Sequence, residues 1–342
     1  MGIIIAIILF SFIVFFHELG HFLLAKKNGI DVQEFAIGMG PNLLKKEYKG
    51  TLYCIKLLPI GGMCVMGEDE EATDAPGNFN NASVWARISV IAAGPIFNFI
   101  LAFVGAVIIT AAVGYDQPII GSVESGYPAA EAGIKEGDKI LKMGNKTIHL
   151  FREISMYNQF HQGETVEVTY ERDGKTTTVT LEPKENDSGY WMLGIGGSGY
   201  TKANVLTSLQ YGTYEVKYWI DMVVDSLKML VSRQIGLNQL SGPVGVVSMV
   251  DTTYQKTKSY GLRVVVLEML NLVVLLSANL GVMNLLPIPA LDGGRLVFLF
   301  VEAIIRRRVS PEKEAYVHLA GMALLMLLMV VVLFNDIQRI FM

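Results

Sequence analysis

Long runs of apolar residues dominate the hydropathy pattern of the chain. Residues 3–25, 88–113 and 315–334 are each long enough to cross the roughly 30 Å core of a bilayer as a helix. Residues 264–304 form a further apolar stretch, which prolines and glycines interrupt. The pattern predicts an α-helical polytopic membrane protein with about four transmembrane helices, of which the third is broken.

The long segment between the second and third spans has a different pattern. Short strand-like runs separated by glycine turns predict an inserted α+β domain at residues 114–200. Residues 201–263 carry an apolar stripe with charges on every turn, which predicts an amphipathic helical region at the membrane interface. The predicted division is therefore 1–113 with the first two spans, 114–200, 201–263, and 264–342 with the last two spans.

The segment between the first two spans is predicted to form a β-hairpin. Residues 32–37 and 51–58 have strand character, and the run LLPIGGM at 57–63 is too apolar for a solvated loop and too short to span. Two interpretations remain open. The run is either a membrane-associated, re-entrant hairpin or a small cytoplasmic one. In the first case its candidate substrate-binding residues are Ile60, Gly61 and Gly62.

Basic residues beside the spans predict the orientation. One group follows the first span and another lies between the third and fourth, and both belong on the cytoplasmic side. The N-terminus, the large insert and the C-terminus are then outside the cytoplasm. The two groups are Lys26, Lys27, Lys45, Lys46 and Lys49, and Arg306, Arg307, Arg308 and Lys313.

Composition agrees with a membrane protein that carries a modest soluble insert. The 342 residues are 51% hydrophobic and 18% charged, and the mean hydropathy is +0.41. A net charge of −4 argues against a nucleic-acid partner. Cys54 and Cys64 form no metal-binding pattern and are expected to be reduced packing residues.

The sequence HELGH at residues 17–21 places ionisable side chains at the end of the first span. His17 and His21 are one helical turn apart on the same face, so both imidazoles can bind one Zn²⁺ while Glu18 acts on a water beside it. Ionisable groups are costly in an apolar segment. This cost favours a metal site over a pair of packed histidines.

A catalytic zinc ion normally has three protein ligands, so a third is expected elsewhere in the chain. Asp292 is the acid within the proline-broken stretch 284–294, and we expect it to complete a site for one Zn²⁺ per chain. The alternative is an ion pair between Asp292 and Arg295. Three other histidines are weaker candidates: His149, His161 and His318.

The inserted domain resembles a bacterial protease-associated PDZ domain, above all in the phrase PAAEAGIKEGDKIL at residues 128–141. In such domains a peptide adds as an extra strand. The resemblance implies a peptide groove beside the first strand, facing the helix near residues 151–160. The alternative is a domain that acts only as a steric gate. The implied groove residues are Ile119, Ile120, Gly121, Ser122 and Val123.

The motifs in combination identify a family. HELGHFLLAKKNGI, EFAIGMGP, PIGGMCVMGE, AAGPIFN, LSGPVGV and NLLPIPALDGG are similar, along almost the whole chain, to the site-2 protease family of intramembrane zinc metalloproteases, bacterial RseP-type branch. The chain departs from many members in having room for a single PDZ domain, and PIGGMCVMGE departs from the family's more usual hairpin motif.

The resemblance implies particular roles and partners. His17, His21 and Asp292 would bind zinc, Glu18 would be the catalytic base, and Asn284, Pro287 and Pro289 would touch substrate. Substrates would be pre-cleaved single-span membrane proteins, such as anti-sigma factors, or remnant signal peptides. The protein would lie in the bacterial cytoplasmic membrane, with the active site toward the cytoplasm and the PDZ domain outside.

Two other classes compete with an intramembrane protease. A non-catalytic membrane PDZ receptor that captures exposed C-termini would not need the full metal set, which this sequence retains. A metal transporter would need polar residues in several spans, whereas the second span offers only Asn98 and Thr110.

Overall fold

The computed structural model describes residues 1–67, 77–186, 188–236 and 241–341. Two compact units make up the chain: Met1–Ala102 with Ile235–Met342, and Phe103–Gln234. The second unit combines the α+β domain with the amphipathic helix and the end of the second span, which the sequence had divided differently. Glu68 of PIGGMCVMGE and Leu240 of LSGPVGV lie outside the described residues.

The helices agree closely with the apolar pattern. Four described helices are long and apolar enough to cross a membrane: α1, α2, α7 and the segment Glu312–Gln338 of α9. The break predicted in the third apolar stretch separates α7 from α8. The helices are α1 (Gly2–Lys27), α2 (Val84–Val113), α3 (Pro128–Glu131), α4 (Phe151–Phe160), α5 (Val205–Val231), α6 (Pro243–Thr257), α7 (Leu262–Leu285), α8 (Asp292–Ile305) and α9 (Pro311–Phe341).

The strands occupy the two regions where the sequence predicts them. The hairpin strands are β1 (Val32–Tyr48) and β2 (Thr51–Met66). The α+β domain contains β3 (Tyr115–Asp116), β4 (Ile120–Val123), β5 (Lys139–Met143), β6 (Lys146–Thr147), β7 (Val166–Arg172), β8 (Lys175–Leu181), β9 (Lys184–Glu185), β10 (Trp191–Met192), β11 (Ile195–Gly197) and β12 (Tyr200–Thr201).

Helices α1 and α2 touch through their backbones. A Cβ atom on Gly20 would lie 2.4 Å from the Ala93 carbonyl oxygen, so only glycine fits at this crossing. Small residues permit such close approach between apolar helices, where dispersion rather than water exclusion drives packing. The crossing brings the HELGH turn of α1 against the first half of α2.

The hairpin folds back on itself into a four-segment antiparallel sheet beside α1. Residue Phe35 of β1 pairs with both Tyr53 and Cys64 of β2, so residues 34–37 lie between two parts of β2. The Ser11 hydroxyl donates a hydrogen bond to the Pro59 carbonyl and attaches β2 to α1. As a result, the last part of β2 forms the edge that runs along the helix carrying HELGH.

The α+β domain is built on a four-stranded sheet with the order β6-β5-β7-β8. Its core is apolar and closed, and two turns of α4 pack on it. The alternating pattern of β7 places its inward side chains in this core, as a half-buried strand requires. The buried residues are Ile120, Ala129, Ile134, Ile140, Met143, Ile148, Ile154, Val166, Val168, Tyr170, Leu181 and Leu193.

The strand predicted to receive a peptide, Ile119–Val123, is already paired. Strand β4 bonds along one edge to β11, and on its other edge the Ile120 N–H donates to the Asp138 carbonyl. A peptide cannot add at those backbone groups that are bonded already. The outer edge of this pair is that of β11, and the position of the peptide groove stays a prediction.

A cluster of charged side chains, some of them buried, joins α4 to α5 within the second unit. The Arg152 guanidinium lies 2.6 Å from a Glu215 carboxylate oxygen and 3.4 Å from one of Asp116. The carboxylate of Glu153 is fully buried, and Lys217 lies 3.9 Å from it. The Arg152 guanidinium thus pairs with two carboxylates, and the Glu153 carboxylate belongs to the same cluster.

We expect the stability of this unit to depend on the ionisation of Glu215. Burial raises the pKa of Glu215 to about 7, and Asp116 and Glu153 add to the effect while Arg152 opposes it. The ordinary value is 4.5, so the folded unit binds this proton more tightly than the unfolded chain does. The resulting contribution to the free energy of unfolding is at most about 3 kcal/mol. It is complete below pH 4.5 and is lost as the pH rises through about 7. The unfolding temperature of the wild type should be lower at pH 8 than at pH 5.5, and this difference should be smaller in Glu215→Gln. Equal falls would contradict the assignment.

Candidate metal centre

Three side chains converge between α1 and the start of α8. The His17 Nε2 atom lies 3.2 Å from Asp292 Oδ2, and His21 Nε2 lies 3.5 Å from the same oxygen. The two Nε2 atoms are 3.2 Å apart. These three donor atoms all lie within 4.8 Å of one another, which permits a shared metal ion. The structure therefore brings together the three residues that the sequence proposed as ligands.

The second nitrogen of His21 fixes the tautomer of this ring. Its Nδ1 atom is 2.9 Å from the Val90 carbonyl oxygen. A carbonyl only accepts hydrogen bonds, so Nδ1 carries the proton and donates. The lone pair of Nε2 is then free and points at the centre of the site, as a metal ligand requires.

Asn98 contacts the Nδ1 atom of His17, as the Val90 carbonyl contacts that of His21. Asn98 was not proposed as a site residue from the sequence. This fully buried amide of α2 lies 3.1 Å from His17 Nδ1, and Asn98 Oδ1 has no hydrogen-bond partner among the described residues. A half-turn of the side-chain amide exchanges its oxygen and nitrogen. With Oδ1 toward the ring, Asn98 accepts a hydrogen bond from the protonated Nδ1 of His17. Asn98 then holds His17 in the same tautomer as His21.

Gly94 of α2 leaves the space in which the ligand nitrogens meet. A Cβ atom on Gly94 would lie 2.3 Å from His21 Nε2 and 2.7 Å from His17 Cε1. Atoms this close overlap, so any side chain at position 94 would occupy the centre of the site. This open space, together with three converging donors, fits a metal ion.

Asp292 comes from the break between α7 and α8. It is the first residue of α8, and its Oδ2 atom is buried without a hydrogen bond among the described residues, although both histidine nitrogens are near. An orphaned buried carboxylate oxygen is costly unless a cation satisfies it. The Arg295 guanidinium, the alternative partner, lies over the Phe79 ring at 5.5 Å. The geometry favours the metal interpretation.

Of the residues proposed to touch substrate, Asn284 and Gly62 lie beside this centre. The side chain of Asn284 lies 3.5 Å from His17 Nε2. A Cβ atom on Gly62 would lie 3.0 Å from Glu18 Cγ, so the hairpin edge passes directly beside Glu18. Gly61 lies against Met39, whereas the side chain of Ile60 is outside the described set. Pro287 and Pro289 belong to the loop before Asp292.

A family model decides the class of protein. Residues 5–328 match the model of peptidase family M50. The chain belongs to peptidase family M50. This membership confirms the predictions of an intramembrane zinc metalloprotease, of a zinc cofactor and of a multi-pass membrane protein, and it disfavours the non-catalytic receptor.

Curated relatives of the M50 chain extend over its whole length. It is 36% identical to the zinc metalloprotease RasP of Bacillus licheniformis, covering 100% of both chains. It is 35% identical to the regulator of sigma-W protease RasP of Bacillus subtilis, covering 98% of both chains. The second alignment has 420 positions, more than the 342 residues of this chain, so the Bacillus protein has residues without a counterpart here.

A solved structure also matches part of the chain. The PDZ domain of an SdrC-like protein from Listeria monocytogenes is 25% identical and covers 25% of this chain and 90% of the domain, with a TM-score of 0.22.

Proposed function

We propose that His17, His21 and Asp292 hold one Zn²⁺ and that Glu18 is the base for peptide-bond hydrolysis beside it. The observation that carries the proposal is the convergence of three ligand atoms within 4.8 Å of one another. When bound, zinc polarises the scissile carbonyl and lowers the pKa of a water molecule. Two imidazoles and a carboxylate are a usual ligand set for catalytic zinc, with one position left open.

Glu18 moves the proton in this mechanism. Its carboxylate takes a proton from the attacking water as the water oxygen bonds to the carbonyl carbon. The same carboxyl group then gives the proton to the leaving nitrogen as the C–N bond breaks. The Gly62 backbone lies against Glu18, so a chain held at the hairpin edge passes next to the base.

The substrate is bound as an extended strand in this proposal. A helical segment hides its carbonyl groups, so it must unwind before hydrolysis. The last part of β2, with Ile60, Gly61 and Gly62, offers an edge for strand addition at membrane depth. Asn284, which lies 3.5 Å from His17 Nε2, and Pro287 and Pro289 of the loop before Asp292 are proposed as further substrate contacts.

The substrate class follows from the position of the site in an apolar helix and from the relatives. We propose single-span membrane proteins, cut first by another protease, with anti-sigma factors and remnant signal peptides as examples. The naming of a Bacillus subtilis relative as a regulator of sigma-W protease supports this class. We also propose a bacterial cytoplasmic membrane, since the relatives are bacterial. Basic residues after α1 and between α8 and α9 support an orientation with the active site toward the cytoplasm.

The α+β domain is proposed to be an extracytoplasmic PDZ domain whose groove lies along β11. Among the described residues, that strand is paired only with β4, on one side. A Cβ atom on Gly197 would lie 2.8 Å from the Phe151 ring, so β11 runs close beside α4. A peptide that adds to the free edge of β11 would lie between β11 and α4.

Hydrogen exchange tests the position of the groove. A hydrophobic C-terminal peptide added to the full-length protein should slow amide exchange in Ile195–Gly197, because strand addition bonds those groups. Exchange in the four-stranded sheet should stay unchanged and is the internal control. Binding without protection of β11 would contradict this position, and the absence of binding would favour the gating alternative.

Metal content and cleavage test the catalytic proposal together. The purified protein in detergent should contain one zinc per chain and cleave a model transmembrane peptide. A zinc chelator should abolish cleavage, and added zinc should restore it. Cleavage that persists in fully metal-free protein would refute the proposal.

A further inference from the structure

The loop between α7 and α8 has few backbone donors, and each of them is bonded. Pro287 and Pro289 have no N–H group. The Ile288 N–H donates to the Leu286 carbonyl at 2.7 Å, and the Leu291 N–H donates to the Ile288 carbonyl at 3.1 Å. The loop therefore satisfies these two groups internally, as backbone outside a helix must do at membrane depth.

A further N–H group of the loop, that of Ala290, is bonded by a side chain from another helix. It donates to His318 Nδ1 of α9 at 2.8 Å. Ala290 has a φ of 77°, a left-handed conformation that non-glycine residues seldom adopt without outside support. The hydrogen bond thus holds a disfavoured backbone conformation two residues before Asp292.

The imidazole of His318 is oriented for this role. Because Nδ1 accepts the bond, the neutral ring carries its proton on Nε2. Nε2 lies 3.7 Å from Glu314 Oε1, one helical turn earlier. The Phe298 ring of α8 has its centroid 5.7 Å from that of His318.

A second residue of α9 fits the same loop. A Cβ atom on Gly321 would lie 2.4 Å from Pro289 Cβ, so the loop packs directly on the helix backbone. Positions 318 and 321 lie on one face of α9, since residues three apart are neighbours on a helix. Helix α9 therefore contributes a hydrogen bond and a close contact that hold the loop.

We propose that His318 is a positioning residue for the metal centre: it fixes the Ala290 amide and so determines where Asp292 stands. The inference rests on the proposed function, because it takes Asp292 as a ligand. It assigns His318 no contact with metal or substrate. Its effect passes through the backbone of residues 290–292.

Paired substitutions test the hydrogen bond itself. The asparagine Oδ1 atom is as many bonds from the backbone as histidine Nδ1, so His318→Asn keeps an acceptor in place. His318→Leu removes the acceptor at similar volume. We expect zinc affinity, measured by chelator competition, to fall about 10- to 100-fold in His318→Leu, as for other residues that orient ligands. His318→Asn should recover most of the loss.

A second measurement, which depends on neither bound metal nor enzymatic activity, accompanies this test. In zinc-free protein, amide exchange in the segment around residues 288–292 should be faster in His318→Leu than in wild type and near wild type in His318→Asn. Leu319→Ala, at an exposed neighbouring position of α9, is the control and should change neither property. Should His318→Leu fail to fold, His318→Gln replaces it, because its oxygen is one bond too far to take the place of Nδ1.

The outcomes separate this inference from the proposed function. Wild-type protein that holds no zinc through His17, His21 and Asp292 would refute the proposed function. Zinc-binding wild type with unchanged affinity and exchange in His318→Leu would refute only the role of His318. An asparagine variant as weak as the leucine variant would show that the acceptor is not the cause and would also overturn it.

Discussion

Glu18→Gln is expected to abolish peptide cleavage while zinc stays bound. Glutamine has the size of glutamate but accepts no proton, so the proton can no longer pass from water to the leaving amine. General base catalysis contributes about 10²- to 10⁴-fold to hydrolytic rates, and a fall of at least that size is expected here. Single-turnover cleavage of a model transmembrane peptide, with zinc content measured on the same sample, provides the test.

A second glutamate supplies the matched control for this experiment. Glu312 is exposed at the first turn of α9, and Glu312→Gln makes the same chemical change away from the centre. It should leave cleavage and zinc content as in wild type. Full activity of a zinc-loaded Glu18→Gln protein would remove Glu18 from the mechanism. The inactive protein also retains uncut substrates, so a comparison of membrane proteomes identifies them as accumulating fragments.

The sequence predicted those parts of the site that depend on local geometry or on a single costly residue. His17 and His21 follow from the helical repeat, because one turn puts both rings on the same face. Asp292 is 271 or more residues from both histidines. An acidic side chain inside an apolar stretch is nevertheless energetically costly, and this cost alone marks it as a functional candidate. The break between α7 and α8 follows from two prolines that cannot donate hydrogen bonds.

Other parts of the site depend on packing that no local pattern contains. Gly94 and Asn98 matter because α2 crosses α1 at Gly20, and the register of that crossing decides which α2 residues face the histidines. The sequence does show an amide at Asn98 within an apolar span, and its cost could have marked it as a candidate. The pattern does not show that Asn98 contacts His17.

The peptide strand of the α+β domain illustrates a different limit. The segment Ile119–Val123 has the composition of a strand, and the structure contains β4 there. Its pairing partner β11 lies about seventy residues later in the chain. Local alternation predicts a strand but not its neighbours, so the pairing of β4 with β11 could not be predicted, and the groove along β11 is proposed from the structure.

Gly94→Ala is expected to weaken zinc binding without replacing a ligand. The added methyl carbon would lie 2.3 Å from His21 Nε2 and 2.7 Å from His17 Cε1, so at least one imidazole must move away from the centre. Overpacking of this kind costs about 1–3 kcal/mol when neighbours can yield, which corresponds to a loss of about 5- to 150-fold in zinc affinity. Alanine is a better helix former than glycine, so α2 itself should not be weakened.

Chelator competition and cleavage at rising zinc concentration distinguish this variant from Glu18→Gln. Gly94→Ala weakens the binding of the ion but leaves the base intact, so excess zinc should restore part of the cleavage. Glu18→Gln retains zinc and lacks the base, so no zinc concentration should restore it. Val104→Ala, at a half-exposed position of α2, is the control and should bind zinc as wild type does. Wild-type zinc affinity in Gly94→Ala would mean that the ion does not lie between the two Nε2 atoms and Asp292.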